Sequence, residues 1–256
     1  MKLELRELVS NNPIYIKGIG SVFSPLLDDI TRITYKVYDL YIGYLNMTPE
    51  KYCKEVDTRL SDWYSNLNED DLFYLNMFDL ILSNSELIKI YTSIFNFFIK
   101  ENVVFSVKTK TFVVYEDTQD GQSVIGEINK QNYTELWDVI LQLNHVSSEN
   151  SFDLSKVKNK KGLERFKRIQ ELKNKNKKEK KEGNPDLELG NIISHICIKH
   201  KSINYTNVYN MTIYQLWDTF TGLQEDNIYE SNKMSVSIWG DKENKFDFNS
   251  WFKKKK

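Results

Sequence analysis

Three histidines and two cysteines, with several paired carboxylates, are the side chains of this 256-residue chain that could do chemistry, and their spacing decides which could act together. His195, Cys197 and His200 invite a metal reading. A helix would put His195 near Lys199 and Cys197 near His200, but a fourth ligand is missing and neither interval is the usual i, i+4 His pair. Nucleophilic catalysis needs a Ser or Cys beside a base, and His145, His195 and His200 stand in no hydrolase setting. The acidic groups Asp28-Asp29, Glu69-Asp70-Asp71 and Glu225-Asp226 fall at expected helix ends, where the helix dipole accounts for them. Gly18 and Gly20 lack the third glycine of a dinucleotide fingerprint, and no Walker A loop is present. Asp117, Asp120 and Glu127 do not follow the EF-hand order of acids and read as a polar hairpin turn. The expectation is a protein that is not an enzyme and takes no cofactor or metal.

Charge is distributed more unevenly than these groups are. The run Lys156 to Glu182 holds thirteen Lys or Arg against four Glu, a local charge of +9 in a chain whose net charge is −1. With the four terminal lysines also set aside, −14 is left for the rest. As a nucleic-acid binder the run would use Lys156, Lys158, Lys160, Lys161, Arg165, Lys167 and Arg168, with a steep salt dependence. It lacks interleaved aromatics beyond Phe166, and the sequence pI of about 6.4 is far from basic, so a charged helix and linker between acidic blocks is the favoured reading. Leu163, Phe166, Ile169 and Leu172 fall three apart and give a narrow apolar stripe. From Lys173 to Glu182 no apolar residue remains, and Gly183-Asn184-Pro185 stop any helix.

The elements that must position such groups follow from periodicity. IYIKGIGSVF reads as a strand or two with a turn at the glycines. Ser24 as cap and Pro25 at the first position start one long amphipathic helix over 25–46. Thr48-Pro49-Glu50 start another through about Leu67, 68–71 begin a third that is apolar nearly all round, and Ser85-Glu86 open one to about Lys100. VVFSVKTKTFVVYE alternates as strands over 103–107 and 111–116, with a third over 123–128. Asn132-Tyr133-Thr134 lead into the helix ELWDVILQLN. Asp186 caps a helix carrying Leu187, Leu189, Ile192, Ile193, Ile196 and Cys197, and Thr212 caps one to about Tyr229. LWDTFTGL in the latter echoes LWDVILQL, with Trp137 matching Trp217. Two capped amphipathic helices with a buried Trp explain the echo without duplication.

The fold class expected is therefore mainly α with a small antiparallel β element, as helical blocks separated by a Lys-rich helix and linker. The divisions are 1–146, 147–185 and 186–256, and the tether would let the last block move relative to the first. Hydrophobic residues make up 40% and aromatics 13%, enough for a folded core. Cys53 and Cys197 are read as free thiols in a reducing compartment. MKLELRELVSNNP has no apolar leader region, and no stretch is long enough to span a membrane. The chain contains no alanine, which points to an AT-rich genome rather than to any mechanism.

Three patches together resemble a family of tail-assembly proteins from tailed phages of low-GC Gram-positive bacteria. They are PIYIKGIGSVFSPLLDDITRITYKVYDLYIGYL, TFVVYEDTQDGQSVIGEINKQNYTELWDVILQL, and DLELGNIISHICIKHKSINYTNVYNMTIYQLWDTFTGLQ continuing to WGDKENKFDFNSWFK. The resemblance implies a gene near the tape-measure protein and a chaperone-like role in the host cytoplasm, or a place as a minor component of the virion tail or baseplate. It implies other tail proteins as partners, the tape-measure protein among them, and supplies no catalytic residue. Trp239, Phe246, Phe248, Trp251 and Phe252 form a tail too short for its own core, so it either folds back or is held for a partner. With the helix surface around Tyr214 and Trp217, these are the expected partner contacts.

Overall fold

The computed structural model describes residues 1–119, 121–146, 188–241 and 246–252, so the expected basic helix and linker, with Asp186 as a cap, lie outside the described residues. The protein is mainly helical, with one two-stranded and one three-stranded antiparallel sheet, as the alternation and helical periods imply. In chain order the helices are α1 (Leu5–Leu8), α2 (Leu27–Ile33), α3 (Tyr35–Leu45), α4 (Pro49–Lys51), α5 (Ser61–Ser65), α6 (Glu69–Tyr74), α7 (Met77–Ser83) and α8 (Ser85–Phe98). They continue as α9 (Tyr133–Leu143), α10 (Leu189–Lys199) and α11 (Ile213–Trp239). The strands are β1 (Ile14–Ile16), β2 (Gly20–Val22), β3 (Asn102–Ser106), β4 (Thr111–Thr118) and β5 (Gly121–Ile128), paired β1-β2 and β3-β4-β5.

Aromatic side chains join the layers. Tyr91 of α8 stacks on Trp137 of α9 at 5.4 Å, and Phe112 of β4 meets Phe95 edge-on at 5.0 Å and Phe78 of α7 at 6.1 Å. All five rings are buried, so α7, α8, α9 and the sheet share one core. The β1-β2 hairpin is pinned to that sheet. Glu127 N–H donates to Gly18 O at 2.9 Å, and a Cβ on Gly126 would lie 2.3 Å from the same oxygen, so only glycine permits the approach.

Three expected long helices are broken, each for a local reason. The helix expected over 25–46 divides at Thr34, whose φ of 74° no α-helix tolerates. The break re-aims α3 so that Tyr38 hydroxyl donates to the buried Asn144 side chain at 2.9 Å, while α2 buries Leu27 and Ile30 elsewhere. Ser24 is not the cap: its hydroxyl donates to Leu143 O at 2.8 Å, and the helix starts at Leu27 with Leu26 N–H on Asp29. The helix expected to Leu67 becomes α4, a π turn (Tyr52–Val56), a 3-10 turn (Thr58–Leu60) and α5. That widened turn allows adjacent Tyr52 and Cys53 both to be buried. The third helix breaks at Leu75, because Asn76 and Asp79 exchange capping hydrogen bonds of 3.0 and 3.4 Å that start α7.

The C-terminal helices join the same core instead of standing apart. Ile192, Ile193 and Ile196 of α10 and Ile213 and Leu216 of α11 are buried in it. Backbone bonds from Leu27 N–H to Met211 O and from Ile213 N–H to Pro25 O, both 2.9 Å, knit the two ends of the chain. The expectation that this block moves freely does not describe α10 or the first half of α11, whose apolar face is what the body covers.

Candidate docking surface

Thr212 and Gln215 start α11 with a reciprocal capping box, and Gln215 Nε2 also donates to Val9 O and Asn11 Oδ1 at 2.9 and 2.7 Å. No Gly or Pro breaks the sequence after Gly222 until Gly240, so the helix runs ten residues past the Tyr229 end expected for it, about 40 Å in all. Its first half is anchored. Leu216 is fully buried, Trp217, Phe220 and Leu223 pack against the core, and the His145 ring lies parallel to Trp217 at 6.3 Å. From Gln224 onward the side chains emerge, leaving Ile228, Met234, Ile238 and Trp239 between 63% and 75% exposed.

Gly240, with φ of 75°, turns the chain back along the helix. Phe246 N–H donates to Asp241 at 2.8 Å, the Phe246 ring stacks on Tyr229 at 5.6 Å, and Tyr229 hydroxyl donates to Phe248 O at 3.2 Å. Thus the tail folds back through one half-buried ring, while Phe248, Trp251 and Phe252 remain 65% to 80% exposed. The expected contact residues divide accordingly. Trp239, Phe248, Trp251 and Phe252 are exposed, Phe246 is the ring that holds the tail beside Tyr229, and Trp217 is half-buried. Tyr214 is only 8% exposed, with the His145 ring against it at 5.2 Å. Burial pushes its hydroxyl pKa up, with Asp218 adding to the effect. The cations Lys156, Lys158, Lys160, Lys161, Arg165, Lys167 and Arg168 lie outside the described residues. Sequence reasoning missed Ile228, Met234 and Ile238, the last two beyond the Tyr229 end expected for the helix, although Met234 and Ile238 continue the apolar period of the buried half.

Elsewhere the polar groups pair among themselves. His200 Nδ1 accepts from Ser202 and Ile203 N–H at 3.2 and 3.1 Å, and no group of three or more His, Cys, Asp or Glu could hold a metal among the described residues. Burial raises both thiol pKa values, Cys53 and Cys197, which leaves them poor nucleophiles. An open concavity of about 510 Å³ runs from Tyr52 to Ser85, but its Arg59 is held by Asp57 at 2.8 and 2.9 Å. No helix among the described residues is long and apolar enough to cross a membrane.

The described residues form an α+β body with a long C-terminal helix and an aromatic tail. Residues 174–256 match the family described as YomV second domain, a phage-derived family, which covers α10, α11 and the tail and supports a phage setting for the chain. No curated protein and no solved structure matches it.

Proposed function

We propose that this is a non-enzymatic phage tail-assembly protein that holds another tail protein, such as the tape-measure protein, through the far end of α11 and its aromatic tail. One observation carries the reading: Trp239, Phe248, Trp251 and Phe252 are exposed within the segment that resembles the phage-derived family. Large aromatic side chains left in water on a folded surface favour burial in a partner, and such rings dominate interface energetics. Deleting 239–256 is expected to abolish co-purification with a tape-measure fragment while leaving the melting temperature unchanged. An undiminished complex overturns the reading.

A further inference from the structure

We propose that an open cleft formed by α5, α6 and the turn before α9 takes an arginine side chain of a partner protein, against aromatic rings and a carboxylate. The cleft measures about 420 Å³ and shares no residue with the α11 surface. Trp63 of α5 and Tyr74 of α6 both line it, and they are 44% and 73% exposed, although Tyr64, next to Trp63, packs on the core. Leu67 and Leu75 complete the apolar lining, with Leu75 held in place by its own contact with the core. A concave site that keeps two large rings in water is suited to a ligand that covers them.

Charge selects the occupant. Asp79 and Lys130 cancel each other, with Lys130 Nζ donating to both Asp79 oxygens at 2.8 Å, and Asp79 also accepts from Asn76 N–H as part of the α7 cap. Asp71 is then left to set the charge of the cleft. The chain around it adds more of the same sign, since 60–88 contains six Asp or Glu and no Lys or Arg. Anions and nucleic acid are repelled from such a surface, and an uncharged apolar group would desolvate Asp71 without pairing it. A second copy presenting the same face sets acid against acid. A guanidinium meets both demands, because its flat face stacks on Trp or Tyr while its fork of N–H groups donates to a carboxylate. Lysine lacks that flat face. Exposed Leu72 and the acids Glu69 and Asp70, all on α6, offer further contacts to an arginine carried on a peptide that a free small cation could not use.

Heteronuclear NMR of the isotope-labelled full chain reads the site directly, because the chain has five tryptophan indole N–H signals and the Trp63→Phe variant identifies one of them. The probe is a glycine–arginine peptide blocked at both ends. Its addition should move the Trp63 signal to saturation and leave the other four in place. Replacing arginine by its neutral isostere citrulline should weaken binding about fivefold or more, as should Asp71→Asn, since each removes one charge of the pair. Glu86→Gln alters an acid that pairs with Lys89 and does not line the cleft, so it should change the affinity by less than about twofold. A Trp63 signal that stays fixed overturns the proposal, and so does a citrulline peptide that binds equally well. Equal losses in Asp71→Asn and Glu86→Gln overturn it in favour of diffuse attraction. A Trp63 shift produced by raising the protein concentration alone overturns it in favour of a second copy.

Discussion

The two halves of α11 are one continuous helix that keeps a common apolar period, but only the first is part of the body. Between Ile213 and Leu223 the apolar positions meet α10 and the core, and the backbone on either side of Thr212 bonds to Pro25 and Leu27. Between Gln224 and Trp239 the same period continues into solvent, and the helix is supported locally by Lys233 on Glu230 and by the Phe246 ring on Tyr229. Helical continuity therefore comes from an unbroken backbone pattern, whereas anchoring comes from what lies opposite the apolar face. The difference separates residues that hold the fold from residues available for contact.

The largest effect should come from alkali, which acts on buried tyrosines of the core that the anchored half of α11 joins. Burial pushes the Tyr133 hydroxyl up to about 12, and it raises Tyr38 and Tyr91 as well. Each folded pKa lies above the unfolded value near 10, so the stability these groups contribute is fully present below pH 10 and is lost as pH rises through the folded values. For Tyr133 the loss reaches about 2 kcal/mol by pH 12. Chemical denaturation across pH 9 to 12 should show the decline, and a flat profile would refute it. Next in size, Leu216→Ala on the anchored half should cost about 2 to 5 kcal/mol, measured by urea denaturation. Gly126→Ala follows at about 1 to 3 kcal/mol, since its Cβ would collide with backbone that has no room to yield. A wild-type melting temperature for that variant would mean that the two hairpins are not held together as described.

Much of this was legible in the sequence, and the gaps have physical causes. Strand alternation around Val103 and Phe112 and the caps at Thr48 and Thr212 are local signals: the strands and the Thr212 helix are present, and Thr48 starts a helix that gives way to a π turn at Tyr52. The break at Thr34 was not legible, because an unfavourable φ there is maintained by tertiary contacts such as Tyr38 on Asn144 that no local pattern encodes. The break at Asn76 is legible, since Asn76 and Asp79 are spaced as a capping box, but the apolar run around them carries the competing signal of a continuous helix. For the candidate surface, composition identified the tail aromatics. It could not show that Phe246 is spent on Tyr229, nor that Tyr214 faces inward, since both depend on how the helix rolls against the body.

The smallest expected change is the most discriminating one. Ile238 is 64% exposed on the same helix as fully buried Leu216, so the two sites share backbone geometry and differ mainly in what surrounds the side chain. Replacing Ile238 by Ala removes little buried area, and alanine's better helix propensity offsets part of that, so stability should shift by less than about 0.5 kcal/mol. A loss near that of Leu216→Ala in urea denaturation would mean that the distal half is packed in solution and that the contrast between the halves is false. A negligible change would place the contribution of Ile238 outside folding of the body, leaving contact as the remaining reason for an isoleucine at that position.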